Sequence, residues 1–238
     1  MARKNTTAGY SPETLAKVVT MLKEKTAEYI ARGNADTIRM AISSGNRKIG
    51  RVMNVSLPPI VTCANCAGCR HYCYDVKACL QYANTVINAR ARNLAILKLD
   101  REAYFNRIDT AMNKRRKNKF FRWHVAGEII DVDYFGRMVE NARRHPDFII
   151  WTYTKNYSIV NTWIAAHGGT RDSLPENFHV MFSEWRGMEM VNPYGMPEFR
   201  VVFPGENPIG HYCPGNCDVC KETGRGCMAG ETTYCRLH

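Results

Sequence analysis

The ten cysteines constrain this chain more than any other sequence feature. They form two groups, at residues 63–79 and 213–235, with none in the 133 positions between them. Disulfide frameworks are expected in small secreted domains that cannot build a core. This chain has 238 residues, of which 45% are apolar, so it is long enough to bury one. Cysteines at short spacing in such a chain are typical of metal ligation, and the sequence favours two metal-binding regions over disulfides.

The first group has the spacing C-x2-C-x2-C-x3-C. Its members are Cys63, Cys66, Cys69 and Cys73. This is the spacing of a bacterial ferredoxin-type run, although Tyr74 stands where proline usually follows. Four thiolates within 11 residues favour a [4Fe-4S] cluster over tetrahedral zinc, which usually draws on two separated pairs. Whether all four ligate one cluster stays open, and Cys79 is interpreted as a buried thiol.

The second group lies near the end of the chain and is rich in glycine. The candidate ligands are Cys213, Cys217, Cys220 and Cys227, with Cys235 as the alternative fourth ligand. Four thiolates would make a closed structural centre, either iron–sulfur or zinc. The sequence predicts a loop folded around this metal, with no helix or strand after it. One or two [4Fe-4S] clusters are therefore expected, and zinc is the alternative.

The hydrophobic pattern predicts an α/β fold. Helices are expected at 12–32, capped by Ser11, and at 76–99, 133–145 and 157–167. Strands are expected at 51–57, 120–126, 148–154, 178–183 and 199–203. Alternating strands and helices predict a parallel sheet, either curled or closing into a partial (β/α) barrel. We expect an N-terminal helical segment at 1–42, an α/β domain at 43–204 and a cysteine-rich, metal-binding extension at 205–238.

Polar side chains lie at the ends of three successive predicted strands. The candidate substrate-binding residues are His124, Glu128, Tyr153, Lys155 and Ser183. The carboxyl ends of parallel strands share one edge of the sheet, so these groups predict a pocket there. His124 is more often a hydrogen-bonded core residue at such a position, and Glu128 after Gly127 also fits a turn followed by a capping acid. Trp151, Trp163 and Met181 are interpreted as core.

The positive charge suggests a second kind of function. The chain has 33 Lys and Arg against 22 Asp and Glu, a net charge of +11. The excess lies at residues 1–52 and 107–122. Nucleic acid is an alternative partner of these segments. Solvated surface is the more common explanation of such stretches, and two thiolate centres would bring about four negative charges. No apolar run is long enough to span a bilayer and no secretory signal is visible, so a soluble cytoplasmic protein is expected.

Two stretches resemble the phage gene-product-88 domain family, which occurs in bacteriophages and bacteria. One comprises residues 44–50, residues 56–59 and the first cysteine run. The other comprises residues 122–128 and 151–155. A more distant resemblance is to radical S-adenosylmethionine enzymes, where Ala126-Gly127-Glu128 is similar to a segment that contacts the methionine amine. The first loop departs from that superfamily because a fourth thiolate would occupy the iron that S-adenosylmethionine chelates.

The sequence therefore leads to one hypothesis and one alternative. The hypothesis is an iron–sulfur protein, of a phage or its bacterial host, that serves as a redox or radical-type enzyme on a small molecule or with a redox partner. S-adenosylmethionine stays an open cofactor alternative. The alternative function is a zinc-stabilised nucleic-acid-binding protein of phage or mobile-element origin.

Overall fold

The structure, a computed structural model, describes residues 9–46, 49–66 and 68–236. The α-helices of these residues are α1 (Pro12–Ile30), α2 (Tyr74–Gln81), α3 (Ala83–Leu99), α4 (Arg101–Asn113), α5 (Val132–Arg144), α6 (Tyr157–Ala166) and α7 (Cys217–Thr223). The strands are β1 (Met53–Val55), β2 (Phe120–Trp123), β3 (Ile149–Thr154), β4 (Phe178–Glu184), β5 (Glu198–Val202), β6 (His211–Tyr212) and β7 (Thr233–Arg236).

The seven strands form one sheet in the order β1-β2-β3-β4-β5-β7-β6. Every pairing between these strands is parallel, and Arg122 of β2 stands opposite Asn54 on one side and Trp151 on the other. The α/β class and the parallel sheet are thus confirmed. The five predicted strands all form, each within about three residues of its expected bounds.

The two faces of the sheet bury different parts of the chain. Ile150, Phe121 and Phe182 face the main core, to which the helices α3 to α6 contribute most of the apolar side chains. Trp151 and Met181 face the opposite way, where Cys220 and Cys227 of the C-terminal segment pack on them. Alternate residues of a strand point to opposite faces. The apolar run at 148–154 is therefore buried on both sides, as a central parallel strand requires.

The predicted helix at 76–99 is divided in the structure. Tyr82 has φ −129° and ψ 47°, which ends α2 and lets α3 begin in a new direction. Leu80, expected on the buried face of one long helix, is 40% exposed as a result. Cys79 is fully buried against Leu15 and other apolar residues of α1 and α3, which confirms its interpretation as a buried thiol.

Helix α1 confirms its sequence prediction closely. Ser11 accepts a hydrogen bond from the backbone N–H of Thr14 at 3.3 Å and Pro12 is the first helical residue. Both are standard N-terminal signals. Gly33, with φ 76°, follows the last turn. Trp163 is 4% exposed and, like Trp151 and Met181, belongs to the core.

The C-terminal segment is more ordered than predicted. We expected a loop without regular structure, whereas the segment forms α7 and two strands, of which β7 lies between β5 and β6. Short polar strands of two and four residues carry little periodic signal, which explains the wrong prediction. No described helix is long and apolar enough to cross a membrane.

Candidate metal centres

The first cysteine loop lies at the carboxyl edge of the sheet. It follows β1, and the Asn65 side chain donates a hydrogen bond to the Lys155 carbonyl, just after β3, at 3.3 Å. Tyr72 stacks on Trp185, just after β4, with ring centroids 5.6 Å apart. A Cβ built on Gly68 would stand 2.7 Å from Trp185 Cδ1, so a side chain here would have to displace the indole ring. The loop thus spans from β1 to the ends of β3 and β4.

The thiols of this loop lie close to one another. Cys63 and Cys66 share a side-chain hydrogen bond, which lowers the pKa of Cys66 and raises that of Cys63. The charge of Cys66 also raises the pKa of Cys69, after the larger effect of burial. Backbone N–H groups are directed at the thiols, for example that of Ile60 at Cys63. N–H donors of this kind stabilise thiolates in iron–sulfur and zinc sites.

Cys73 lies at the start of α2. It is the residue before the first helical turn, and its thiol receives the backbone N–H groups of Asp75 and Val76. Burial nevertheless raises the pKa of Cys73 to about 11. Asp75 is held by Arg90 of α3 through two hydrogen bonds of 2.9 and 3.1 Å, and is 2% exposed. This ion pair anchors the end of the cysteine loop to the helices.

Three of the five predicted substrate-binding residues come together beneath the loop. The Lys155 ammonium donates to the Ser183 hydroxyl at 2.7 Å, and the Lys155 backbone N–H donates to Glu128 Oε2 at 2.8 Å. Glu128 Oε1 accepts from the Ile129 N–H at 2.8 Å. Burial raises the pKa of Glu128, while these N–H donors oppose the rise. Both Lys155 and Glu128 lie within electrostatic range of Cys69.

Gly127 is required by a contact within the protein. Its φ is 84°, and a Cβ there would stand 2.6 Å from Leu57 Cβ and 2.8 Å from the Leu57 carbonyl oxygen. The Leu57 N–H donates to Ala126 O at 2.9 Å, which joins the segments that follow β1 and β2. The glycine therefore lets these two segments meet and carries Glu128 to the site.

The structure places His124 and Tyr153 away from this pocket. His124 is 3% exposed, and its Nε2 lies 2.9 Å from the hydroxyl of Tyr134 on α5, on the helical side of the sheet. Burial, reinforced by the charge of Arg122, lowers the pKa of His124 to about 3. His124 is thus a hydrogen-bonded core residue. Tyr153 faces the C-terminal segment, where its hydroxyl bonds the Cys227 thiol.

Four thiols of the C-terminal segment converge on the inner face of the sheet, the face opposite the helices. Burial, together with the charges of Cys217, Cys213 and Cys227, raises the pKa of Cys220 to about 11. Cys220, Cys227 and Cys217 also belong to one apolar cluster with Trp151. Cys235, on β7, instead directs its thiol at the Arg236 carbonyl, 3.5 Å away. Cys227 is the thiol that acts on Cys220 together with Cys217 and Cys213.

The thiols are close without forming a finished coordination sphere. In residues 9–46, 49–66 and 68–236, no three His, Cys, Asp or Glu side chains have an arrangement that could hold a metal ion. Two groups of four cysteines, each gathered by its local fold, nevertheless suit metal centres in their choice of donor.

The comparisons with known proteins now identify the chain. The family model described as Gene product 88 matches residues 28–229, which is 202 of 238 positions. The chain belongs to the gene product 88 family. The phage family predicted from the sequence is thereby confirmed. The match includes the first cysteine loop, the Glu128–Lys155–Ser183 group and four of the five C-terminal cysteines. No curated protein and no solved structure matches the chain.

Proposed function

We propose that this gene product 88 protein is an iron–sulfur protein and a redox or radical-type enzyme. The observation that carries the proposal is the position of the first cysteine loop, directly beside Glu128, Lys155 and Ser183 at the carboxyl edge of a parallel sheet. Ligands of α/β proteins bind at this edge. A metal group held by Cys63, Cys66, Cys69 and Cys73 would face a small-molecule substrate there.

The donor set supports a [4Fe-4S] cluster on this loop. Its four thiols are drawn from 11 consecutive residues and are met by backbone N–H groups. Such a cluster supplies or accepts one electron at a time when it is bound. Helices cover one face of the sheet and the C-terminal segment covers the other. We propose that the sheet curls as a partial (β/α) barrel, because this arrangement suits such a fold.

The side chains at the pocket have different roles. Both oxygens of Glu128 accept backbone N–H groups, so this carboxylate holds the Lys155 segment in place. The Lys155 ammonium is half-buried and bonded only to the neutral hydroxyl of Ser183 in the described part of the chain. A cation in this setting is suited to bind a carbonyl or acidic oxygen of a substrate. We assign substrate binding to Lys155 and Ser183 and positioning to Glu128.

The C-terminal group is proposed as a structural metal centre. Its ligands would be Cys213, Cys217, Cys220 and Cys227, and four thiolates leave no position for a substrate. An iron–sulfur cluster is favoured here and zinc is the alternative. The apolar surroundings of Cys220 and Cys227 suit a centre that holds the inner face of the sheet together.

The proposal is tested by anaerobic purification, with iron, sulfide and zinc quantified and EPR spectra recorded after dithionite reduction. About four or eight iron atoms with matching sulfide support one or two cubane clusters. Cys66→Ser should remove the signal of the first cluster, and Cys79→Ser, a matched control, should leave it intact. A chain that binds only zinc under these conditions contradicts the proposal.

The addition of S-adenosylmethionine distinguishes a radical-type enzyme from a redox enzyme. A change in the EPR spectrum when it is added shows an open iron, and therefore a radical-type enzyme in which one of the four thiols is not a ligand. An unchanged spectrum favours a closed redox cluster and a separate redox partner.

A zinc-stabilised nucleic-acid-binding protein is the second candidate. Lys114, Arg116 and Lys117 are exposed together in the turn after α4. Other basic residues of this stretch are engaged, since Arg107 pairs with Asp36 and Lys119 with Asp147. Phosphate contacts release counterions, so binding through the exposed residues would weaken steeply with salt. A slope near zero in a plot of log affinity against log salt contradicts this function.

A further inference from the structure

Arg122 is an unusual residue on the inner face of the sheet. It lies on β2, beside Phe120 and opposite Trp151 of β3, and it is half-buried. Its guanidinium carbon stands 4.5 Å from the centre of the Tyr153 ring. The side chain therefore points toward the C-terminal cysteines and away from the helices.

This guanidinium has no carboxylate partner among the described residues. Its Nε is shielded from solvent and makes no hydrogen bond. The ionisable groups that act on it are two tyrosines, Tyr153 and Tyr74, and two thiols, Cys217 and Cys227. All four are weak acids and are ordinarily neutral near pH 7. Burying a cation without a counter-charge is costly, so the surroundings of Arg122 suit a negatively charged group.

A loaded C-terminal centre would supply that charge. Four thiolates around Zn²⁺, or around an oxidised cubane cluster, have a formal charge of about −2. The other nearby cation, Lys221 on α7, already forms an ion pair with Asp218. Tyr153 connects the two sides, because its ring packs under Arg122 and its hydroxyl bonds the Cys227 thiol.

We propose that Arg122 is the counter-cation of the C-terminal thiolate centre and that Tyr153 aligns it with Cys227. This inference rests on the proposed function, in that the C-terminal group must bind a metal. Arg122 acts as a positioning residue, since it holds the centre by charge without ligating it. Partners of metal ligands in this role typically change metal affinity 10- to 100-fold when they are lost.

The test uses Zn²⁺ as the probe metal in the full chain with Cys66→Ser and Cys69→Ser, so that binding reports the C-terminal group. Competition with a chromophoric chelator measures affinity. We expect Arg122→Gln to weaken binding about 10- to 100-fold and Arg122→Lys to restore most of it, because the charge returns. Lys221→Met, the matched control, should change affinity by less than about threefold because Asp218 already neutralises this lysine.

The outcomes separate this inference from the proposed function. Equal affinities for Arg122→Gln and the parent chain overturn the role of Arg122 while the metal centre stands. Zinc binding that is unchanged by Cys220→Ser shows that the C-terminal centre does not exist, and it overturns both that centre and the role of Arg122, while the proposed cluster on the first loop is tested separately by EPR. Should Arg122→Gln fail to fold, Tyr153→Phe still tests the arrangement, because it removes only the hydroxyl at Cys227. A severalfold loss supports the inference, and no change in affinity overturns it.

Discussion

The two cysteine groups lie in contrasting surroundings. The first is a loop at the edge of the sheet, where Glu128 and Lys155 act on its thiols and Asn65 and Tyr72 join it to neighbouring strands. The second is packed on the inner face against Trp151 and Met181, beside Arg122, which has no carboxylate partner among the described residues. The thiols of the first group therefore lie beside polar side chains, whereas those of the C-terminal group lie in an apolar cluster.

This difference indicates a division of labour. A centre beside a buried carboxylate and an ammonium group can act on a substrate, and its loss should affect chemistry more than folding. A centre within the core replaces apolar packing that short strands such as β6 cannot provide, and its loss should affect folding first. The predictions below test this contrast, beginning with the largest expected effect.

Cys220→Ser should destabilise the protein far more than Cys66→Ser. The first change would break the proposed structural centre on the inner face of the sheet, and loss of a structural metal costs about 4 kcal/mol or more. Cys66 lies in a loop whose ends are fixed by other contacts, so a loss of about 1 kcal/mol is expected there. Chemical denaturation of the metal-loaded variants measures both. Equal losses would remove the distinction between the two groups.

Asp75→Asn tests what anchors the first loop. The Arg90–Asp75 pair is buried behind Cys73, and removing one partner leaves an uncompensated charge at a cost of about 3 kcal/mol. The matched control is Glu28→Gln, which breaks the exposed pair with Lys25 and should cost less than about 0.5 kcal/mol. Urea unfolding compares the two variants. Similar small effects would show that the loop is anchored elsewhere.

His124 should make stability depend on pH. Its pKa is lowered to about 3 by burial and the charge of Arg122, against about 6.5 in an unfolded chain. The unfolded state therefore binds more protons than the folded state between these pH values. The contribution of His124 to stability is complete above pH 6.5 and is lost as the pH falls toward 3. At pH 5 the loss is about 2 kcal/mol.

His124→Asn separates this effect from other titrating groups. Asparagine does not titrate and tolerates the φ of 51° found here. Stability curves of the variant and the parent chain should therefore converge as the pH falls from 6.5 to 5. Parallel curves over that range would show that His124 contributes nothing to the pH dependence.

The fold was more predictable from the sequence than the arrangement of the sites. The apolar run at 148–154 identified the parallel sheet, because a strand buried on both faces has apolar residues at successive positions. The break between α2 and α3 at Tyr82 was not predicted, because the backbone angles of one residue do not change the hydrophobic periodicity. The strand Thr233–Arg236 was not predicted, because its four residues are too few to show a period. Lys155 and Ser183 were found together because strand ends share an edge.

The position of Arg122 beside the C-terminal thiols could not have been predicted in the same way. In the sequence it is one of seven basic residues in a charged stretch, and only the register of β2 against β3 turns it toward Tyr153 and the C-terminal thiols. The partners of such a residue come from segments about 30 and 100 positions away. Strand alternation gives the face on which a side chain lies but not what covers that face.

Ser183→Ala should have the smallest effect on stability and sharpen the distinction between the two groups. It removes the hydroxyl that accepts from the Lys155 ammonium at 2.7 Å, at a cost of about 1 kcal/mol. Lys155 then loses its partner next to the first loop, so the EPR spectrum of that cluster should shift while metal binding at the C-terminal group stays unchanged. Thr152→Ala, on the same sheet but facing the helices, is the control for stability alone. A shift confined to the first cluster in Ser183→Ala supports a working site at the edge of the sheet, whereas an unchanged spectrum would place Lys155 and Ser183 outside it.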